Sequence, residues 1–343
     1  MLSRKSFVHS ESQGYTPVPF TTNMFTAKAE YKQNEADQRY SQTSVIVEKY
    51  QNQGNVTYRV LDDIASLLCY GVDESTRKGV LRCLGFRLEP TPELVFQLPK
   101  NVEGPQTLQT LIAADVGKAS GGPHSVNYRF RLSRQLSEAV LGVHSAGLVH
   151  KNIRSETIVL LKPRLEGADK DASYAIGFGD PYLMSWYHGR AIEGNLSNMA
   201  GSTDWTENIY RHPERQGVEV QDRVMVQERY NIGHDIYSLG VCLLEIGLWD
   251  PLVRTRTANG QSQVSDYFRA AAKVDSAPDP DAALRAALKI PNKVKEILLE
   301  LAEKELPRRM GLSYTRLVVA CMKGLDHPSG FGPSVDFTAF NRT

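Results

Sequence analysis

Apolar and polar side chains alternate along Ser44–Tyr50 (SVIVEKY), with the two-residue period of a half-buried β-strand. Residues 56–70 then carry apolar side chains at helical spacing, and Gly71 is a typical helix stop. Two further β-type runs cover Val80–Leu88 and Glu93–Leu98. The pattern strand, helix, strand, strand predicts a small sheet accompanied by one helix.

Helical periodicity dominates from Thr107 onward, so we expect a boundary between two lobes near residue 100. The predicted helical segments are 108–114, 128–145, 235–249 and those around residues 298–301 and 318–319. A short strand, Tyr174-Ala175-Ile176, is also predicted. The predicted organisation is a polar N-terminal extension (1–40), an N-terminal lobe (41–100), a C-terminal lobe (101–326) and a Gly/Pro/Ser-rich tail (327–343).

Charge and composition limit the classes of partner. The 343 residues include 40 basic and 39 acidic side chains, so the net charge of +1 creates no overall field toward nucleic acid, and no nucleic-acid partner is expected. The apolar fraction of 41% is enough for a sizeable core. The sequence shows no signal-peptide pattern and no transmembrane run, which predicts a cytoplasmic protein. The four cysteines, widely spaced and in apolar surroundings, are expected to be thiols.

Four short motifs occur in a fixed order behind the strand-rich region: VHKNIRSETIVLL, AIGFGDP, YRHPERQ and HDIYSLGVCLLEIG. Each motif is weak alone. In this order they resemble the C-terminal lobe of eukaryotic protein kinases. The resemblance covers about residues 40 to 325 and implies a bilobal α+β fold, with a small β-rich N-lobe and a larger helical C-lobe.

The catalytic loop of that family reads H-R-D-L-K-P-E-N, and the same frame here begins at His150. The family's proton-accepting Asp falls on Asn152, and its metal-binding Asn falls on Thr157. A neutral amide cannot accept a proton as a carboxylate does. The loop Lys is replaced by Arg154, which keeps the charge but changes the geometry.

The metal-binding D-F-G motif of the family resembles Gly177-Phe178-Gly179, in which the carboxylate is missing. Asp180 follows directly and is the one acid nearby that could substitute for it. A carboxylate displaced by three positions rarely reproduces octahedral magnesium geometry. No metal site is therefore predicted.

The nucleotide-binding features of the N-lobe are also degenerate. The family's V-A-I-K lysine falls on Glu48 or on Lys49, and the sequence leaves both registers open. Alternation favours Glu48, since Val45 and Val47 then share the buried face. The partner acid on the next helix would be Asp62 or Asp63. No G-x-G-x-x-G precedes the strand, so the loop that covers the phosphates is not recognisable.

The residues that the resemblance assigns to fold maintenance are present. His150 and Phe178 match an apolar spine, Asp235 matches an acid that anchors the catalytic loop, and Glu214 matches an acid paired with a buried Arg. Arg308 or Arg309 is the expected partner of Glu214. Loss of the transfer groups with retention of the structural ones is typical of a pseudokinase.

The strings HSAGLVHKNIRSETIVL, ELVFQLP and RMGLSYTRLVVACMKGLD resemble fungal kinase-like domains that accompany HeLo or prion-inhibition domains in cell-death proteins. Residues 1–40 are too short and too polar to form such a helical domain. The resemblance implies a regulatory module that contacts a protein partner or effector domain and that binds, at most, ATP without magnesium. The alternatives are an active kinase that uses Asp180 and an interaction module that has lost nucleotide binding and assembles through residues 181–210.

Overall fold

Five strands form an antiparallel N-terminal sheet in the computed structural model of the chain. The spatial order is β1 (Thr16–Pro17), β2 (Met24–Tyr31), β3 (Ser41–Lys49), β5 (Glu93–Gln97) and β4 (Cys83–Arg87). Helix α1 (Tyr58–Tyr70) lies between β3 and β4 in the chain. The structure describes residues 14–19, 21, 23–31, 41–50, 58–70, 78–88, 90–116, 125–164, 177–186, 190–191, 203–216, 219–220, 223–224, 230–255 and 262–324.

Residues 1–40, predicted to be a polar extension, contribute two strands to this sheet. Strand β2 pairs with β3 along its whole length, from Met24 opposite Glu48 to Tyr31 opposite Ser41. Its buried face includes the small residue Ala29, which packs with Val45 and Val47. Small and polar residues hide the alternation of β2 in the sequence, and long-range pairing with β3 makes it a strand.

A smaller three-stranded sheet has the order β6 (Gln106–Thr107), β8 (Ile158–Leu161) and β9 (Asp180–Leu183). All four residues of β8 are buried, as expected for a central strand. A second pair joins β7 (Leu148–Val149) to β10 (Arg190–Ala191). Helices α2 (Leu108–Asp115) and α3 (Val126–Ser145) precede these strands in the chain.

The remaining described elements are mainly helical. They are α4 (Trp205–Asn208), a 3₁₀ turn (Pro213–Arg215), β11 (Glu219–Val220), β12 (Arg223–Val224), α5 (Ile232–Leu248), β13 (Val253–Thr255), β14 (Ser262–Val264), α6 (Asp266–Ala272), α7 (Pro280–Leu288) and α8 (Pro291–Lys323). Helix α5 is buried nearly all round, as its continuous apolar sequence predicts. Asn231 caps its N-terminus, and Trp249 ends it in a left-handed conformation. Gly311 interrupts α8 with non-helical backbone angles.

These elements divide into two compact units. One unit comprises Met1–Leu111, Arg134–Asn152 and Glu156–Glu193, and the other comprises Ile112–Ser133, Ile153–Ser155 and Gly194–Thr343. The predicted α+β class is confirmed, with an N-terminal antiparallel sheet and a larger helical C-terminal part. The lobe boundary near residue 100 stays a prediction.

Three further predictions concern single features. All four cysteines, each within the described residues, are thiols. Among the helices of the described ranges, none combines the length and the apolar character that a bilayer crossing requires. The predicted strand Tyr174-Ala175-Ile176 and most of 187–202 lie outside the described residues.

Candidate functional site

Glu48 and Lys49 lie on opposite faces of the N-terminal sheet, because successive side chains of a strand alternate. Lys49 shares its face with Val45 and Val47. Its Nζ lies 3.5 Å from the centre of the Tyr15 ring, and Tyr15 packs against the same apolar cluster. Glu48 shares the other face with Ile46, and both are fully buried.

The surroundings of Lys49 form a polar group on the first face. Glu93 pairs with Lys49 across the strands, is buried, and binds Nε of Arg87 at 2.9 Å. The hydroxyl of Tyr15 also donates to the Glu93 carboxylate, at 3.3 Å. Burial raises the pKa of Glu93, while the Arg87 and Lys49 charges oppose that rise. Lys49 is therefore part of an ionic group on this face of the sheet.

The Glu48 carboxylate is held by three donors on the other face. The backbone N–H groups of Ser185 and Trp186 donate to it, the latter at 3.2 Å, and so does the hydroxyl of Tyr50. Ser185 has a left-handed backbone, with φ of +66°. Two successive N–H groups that converge on one carboxylate form an anion-binding nest. Burial raises the pKa of Glu48, and the three hydrogen bonds oppose that rise.

The predicted catalytic loop is closed by bonds within itself. The hydroxyl of Thr157 donates to the backbone oxygen of Asn152 at 2.6 Å, and the Asn152 N–H donates to Nδ1 of His150 at 3.3 Å. His150 is fully buried, and its ring meets the Trp186 ring edge-on, with centroids 4.5 Å apart. Lys151, between them, has a φ of +67°. Thr157, at the position where the sequence resemblance predicts a metal ligand, thus donates to the backbone of its own loop.

Gly177-Phe178-Gly179 is a turn that precedes β9. Gly177 and Gly179 have φ values of +67° and +82°, which favour glycine. A Cβ on Gly179 would lie 2.4 Å from the backbone oxygen of Leu161, so the turn requires glycine here. Phe178 is buried. The backbone of this turn therefore accounts for its glycines, and the match to D-F-G stays a prediction.

The triplet that follows β9 is Met184-Ser185-Trp186. The N–H of Met184 donates to the backbone oxygen of Thr157 at 2.9 Å, and the Trp186 ring N–H donates to that of Leu183 at 2.8 Å. This triplet brings Trp186 to His150, and Ser185 to Glu48. None of its three side chains is a carboxylate.

Asp180 lies at the opposite end of β9 from this triplet. It pairs with Leu161, whereas Leu183 pairs with Ile158, the neighbour of Thr157. At about 3.3 Å per residue, Asp180 and Thr157 are about 13 Å apart along the strands. The Asp180 carboxylate is exposed and accepts a hydrogen bond from Nε2 of Gln135 at 2.5 Å. It is thus remote from Thr157 and from Glu48.

In the second unit, Glu214 contacts two buried histidines. Its Oε2 lies 3.4 Å from Nδ1 of His212 and 3.3 Å from Nε2 of His234, so all three side chains offer ligand atoms within 4.8 Å of one another. The N–H of Asn231 donates to Nδ1 of His234 at 2.9 Å. In the neutral ring the proton is then on Nε2, where it faces Glu214. A metal ion would bind the lone pair of His234 Nε2, which this proton occupies. The arrangement therefore fits a hydrogen-bonded cluster better than a metal centre.

The expected pair between Glu214 and Arg308 or Arg309 does not form within the described residues. Both arginines bind Glu305 instead, and Arg309 also donates to the hydroxyl of Tyr267 at 2.6 Å. The three-residue and four-residue spacing on one helix brings Glu305 to them. Elsewhere, Arg154 binds Glu207 at 3.0 Å.

Asp235 and the α1 acids complete the predicted set. Asp235 is fully buried on α5 and accepts a hydrogen bond from the Tyr230 hydroxyl at 2.7 Å. On α1, Asp62 is half-buried and Asp63 is exposed, and neither forms an ion pair with a described residue. The structure therefore brings Glu48 and His150 to one triplet and places Asp180 at the opposite end of β9.

Sequence reasoning missed Tyr50, Ser185 and Trp186. For Ser185 and Trp186 the available signal was the run Pro181-Tyr182-Leu183. Its alternation is typical of a strand, and the two residues directly follow that strand. The predicted strand Ser44–Tyr50 already placed Tyr50 on the same face as Glu48, but the alternation did not indicate that the two side chains form a hydrogen bond.

Comparison with known proteins adds little to these observations. No protein-family model matches the chain. No curated protein matches it in sequence. The chain is similar to a chain in a solved structure of the CAK complex of Chaetomium thermophilum bound to ATP-gamma-S. The identity is 14%, 89% of each chain is covered, and the TM-score is 0.43, values that say nothing about activity.

The order of the elements gives the fold class, which is α+β. Three strands, one helix and two strands come first, and mainly helical elements follow. The β3 strand followed by a helix is the arrangement that carries the lysine and its partner acid in protein kinases. This order, an N-terminal antiparallel sheet followed by a larger helical part, is consistent with the α+β organisation that the sequence resemblance to protein kinases implies.

Proposed function

We propose that this chain is a pseudokinase: a protein kinase-like domain that transfers no phosphoryl group and acts as a regulatory scaffold or switch through a protein partner. The observation that carries the proposal is the buried carboxylate of Glu48, held by the N–H groups of Ser185 and Trp186. An active kinase needs a lysine ammonium where β3 faces the metal-binding segment.

Glu48 is the better candidate for the position of that lysine. It faces the triplet after β9, whereas Lys49 contacts Tyr15 and pairs with Glu93 on the other face. A buried carboxylate repels the phosphates of ATP instead of attracting them. Its three donors are also occupied, so the nest has no N–H left for a phosphate oxygen.

Ser185 and Trp186 are proposed to replace the Asp and Phe of D-F-G. In the family the aromatic residue of that motif packs on the loop histidine, and here the ring against His150 belongs to Trp186. The preceding position is then Ser185, which has no carboxylate to bind magnesium. With Asn152 in the base position and Thr157 bonded to the loop, positions 152 and 185 lack the carboxylate, and position 157 lacks the amide, that the family uses for the proton and the two metal ions.

An active kinase that relies on Asp180 is less well supported, since this acid lies about 13 Å along the strands from Thr157. The β1–β2 connection, Val18 to Asn23, also contains no glycine and includes Pro19, which has no N–H to offer a phosphate. The partner we propose is an effector domain, in line with the resemblance to fungal cell-death proteins.

Nucleotide binding and transfer test this proposal in the full chain. The melting temperature is measured with millimolar ATP, with and without magnesium, because a ligand at 100 times its Kd stabilises by about 2.7 kcal/mol. We expect no shift under either condition and no transfer of labelled phosphate to protein or peptide. A magnesium-dependent shift together with transfer that disappears in Asp180→Asn would overturn the proposal.

The matched variants are Glu48→Gln and Lys49→Ala, at adjacent positions on opposite faces. Should ATP stabilise the wild type, loss of that effect in Lys49→Ala would place the nucleotide lysine at 49 and contradict our assignment of Glu48. A shift with ATP in EDTA, without transfer, would overturn the proposed lack of phosphate recognition but leave the inactive catalytic loop standing.

A further inference from the structure

Two cysteines from different elements meet in the first unit. Cys69 lies in the last turn of α1, and Cys83 is the first residue of β4. The Cys69 thiol donates to the backbone oxygen of Cys83 at 2.9 Å, and the Cys83 thiol donates to the backbone oxygen of Gly85 at 3.6 Å. Cys242 and Cys321, by contrast, are buried in the second unit.

The two thiols differ in accessibility. Cys83 is 2% exposed, whereas Cys69 is half-buried and within reach of a small reagent. The Cys69 sulfur already lies 2.9 Å from the backbone oxygen of Cys83, so a disulfide bond of about 2.05 Å requires side-chain rotation and a local shift. The pair therefore offers one accessible sulfur and one adjacent resolving sulfur.

We propose that Cys69 and Cys83 are a redox-responsive pair that a small disulfide, such as oxidised glutathione, converts to a disulfide joining α1 to β4. The Cys69 thiolate attacks one sulfur of glutathione disulfide, forms a mixed disulfide and releases one glutathione thiolate. The Cys83 thiolate then attacks the Cys69 sulfur and releases the second glutathione. The two protein thiols lose two electrons and two protons, and glutathione disulfide is reduced to two glutathione thiols.

The order of attack follows from the environment. Contact with Cys69 and burial hold the pKa of Cys83 well above its usual value, and the nearby Glu48 adds to the rise. Few Cys83 thiolates exist near neutral pH, so the second step is slow and its rate increases with pH. The closed loop would span Cys69 to Cys83 and would hold the end of α1 against the sheet.

The test uses the full chain incubated with glutathione disulfide at mildly alkaline pH, then alkylation, intact mass measurement and peptide mapping. We expect a mass lower by two hydrogens, a Cys69–Cys83 cross-linked peptide, and a melting temperature raised by several degrees that returns after reduction. Cys242→Ser with Cys321→Ser should behave like the wild type.

Single variants distinguish the two roles. Cys83→Ser should accumulate the mixed disulfide at Cys69, and Cys69→Ser should leave Cys83 unmodified. The proposal is overturned if folded wild type stops at the mixed disulfide, if Cys69 stays reduced, or if the cross-link appears only after unfolding in urea. These outcomes are independent of nucleotide binding and of the proposed function.

Discussion

The backbone N–H of Trp186 donates to Oε2 of Glu48 at 3.2 Å across 138 positions of sequence. The same carboxylate accepts from Ser185 and from the Tyr50 hydroxyl, and it is fully removed from solvent. The contact ties strand β3 to the triplet that follows β9. A charge at this point is stable only because all three donors converge on it.

Removing one donor tests the importance of this arrangement. We expect Tyr50→Phe to lower the free energy of unfolding by about 1.5–3 kcal/mol, the range for a hydrogen bond to a charged group. Because the Tyr50 hydroxyl opposes the rise in the pKa of Glu48, its loss lets that pKa rise further. A folded-state pKa above the unfolded one stabilises at low pH and is lost as pH rises, so the variant should lose more stability near pH 8 than near pH 5.

Urea denaturation at the two pH values measures this effect. The control is the same Tyr50→Phe change in a Glu48→Gln background, where no titration remains at position 48. A pH-independent loss of stability in the Glu48 background would contradict the coupling.

Gly179 is expected to tolerate no side chain. Gly179→Ala would place a Cβ 2.4 Å from the Leu161 oxygen in a backbone with φ of +82°. Strain and overlap with backbone should cost more than about 2 kcal/mol. Gly104→Ala is the matched control, since nothing lies within 4 Å of its Cβ. Equal melting temperatures for the two variants would show that the turn is not as constrained as described.

Glu245 is expected to make stability pH-dependent in the second unit. It is fully buried and accepts hydrogen bonds from the Tyr210 hydroxyl and the Leu252 N–H, each at 2.7 Å. Burial raises the pKa of Glu245 to about 7, against an ordinary value of 4.5. The stabilisation is complete below about pH 4.5 and is lost as pH rises to about 7, a change of about 3 kcal/mol at about 1.4 kcal/mol per pKa unit.

Comparison with Glu245→Gln isolates this group, because other carboxylates titrate in both proteins. The wild-type free energy of unfolding, relative to the variant, should fall between about pH 4.5 and pH 7 and then level off. A constant difference across this range would argue that Glu245 is ionised with its ordinary pKa.

Zinc should not stabilise the His212, Glu214 and His234 cluster. The proton that Asn231 fixes on Nε2 of His234 occupies the lone pair a metal would need. We expect no change in melting temperature with equimolar zinc, measured in a Cys69→Ser background so that the thiol pair does not compete. A rise that Glu214→Ala abolishes would identify a metal centre instead.

Local patterns in the sequence were sufficient for the longer helices and for three strands of the N-terminal sheet. The alternation of Ser44–Tyr50 and Glu93–Leu98 predicted β3 and β5, and the apolar run of 235–249 predicted the buried helix α5. Strand β2 was missed, since Ala27 and Ala29 contribute little to an apolar count although they pack in the sheet. The match of Gly177-Phe178-Gly179 to the D-F-G motif stays a prediction; the structure shows that the two glycines adopt a left-handed backbone in the turn before β9.

The sequence by itself determined which residue types are available: it has no carboxylate at positions 152, 157 and 177, and it has an acid beside a lysine at positions 48 and 49. Only the tertiary structure decided which of that pair faces Ser185 and Trp186, and that Asp180 lies at the remote end of β9. The physical reason is that alternation assigns successive side chains to opposite faces of a strand, but it does not specify which residues pack against each face. That depends on segments far away in the chain, whose pairing no local pattern records.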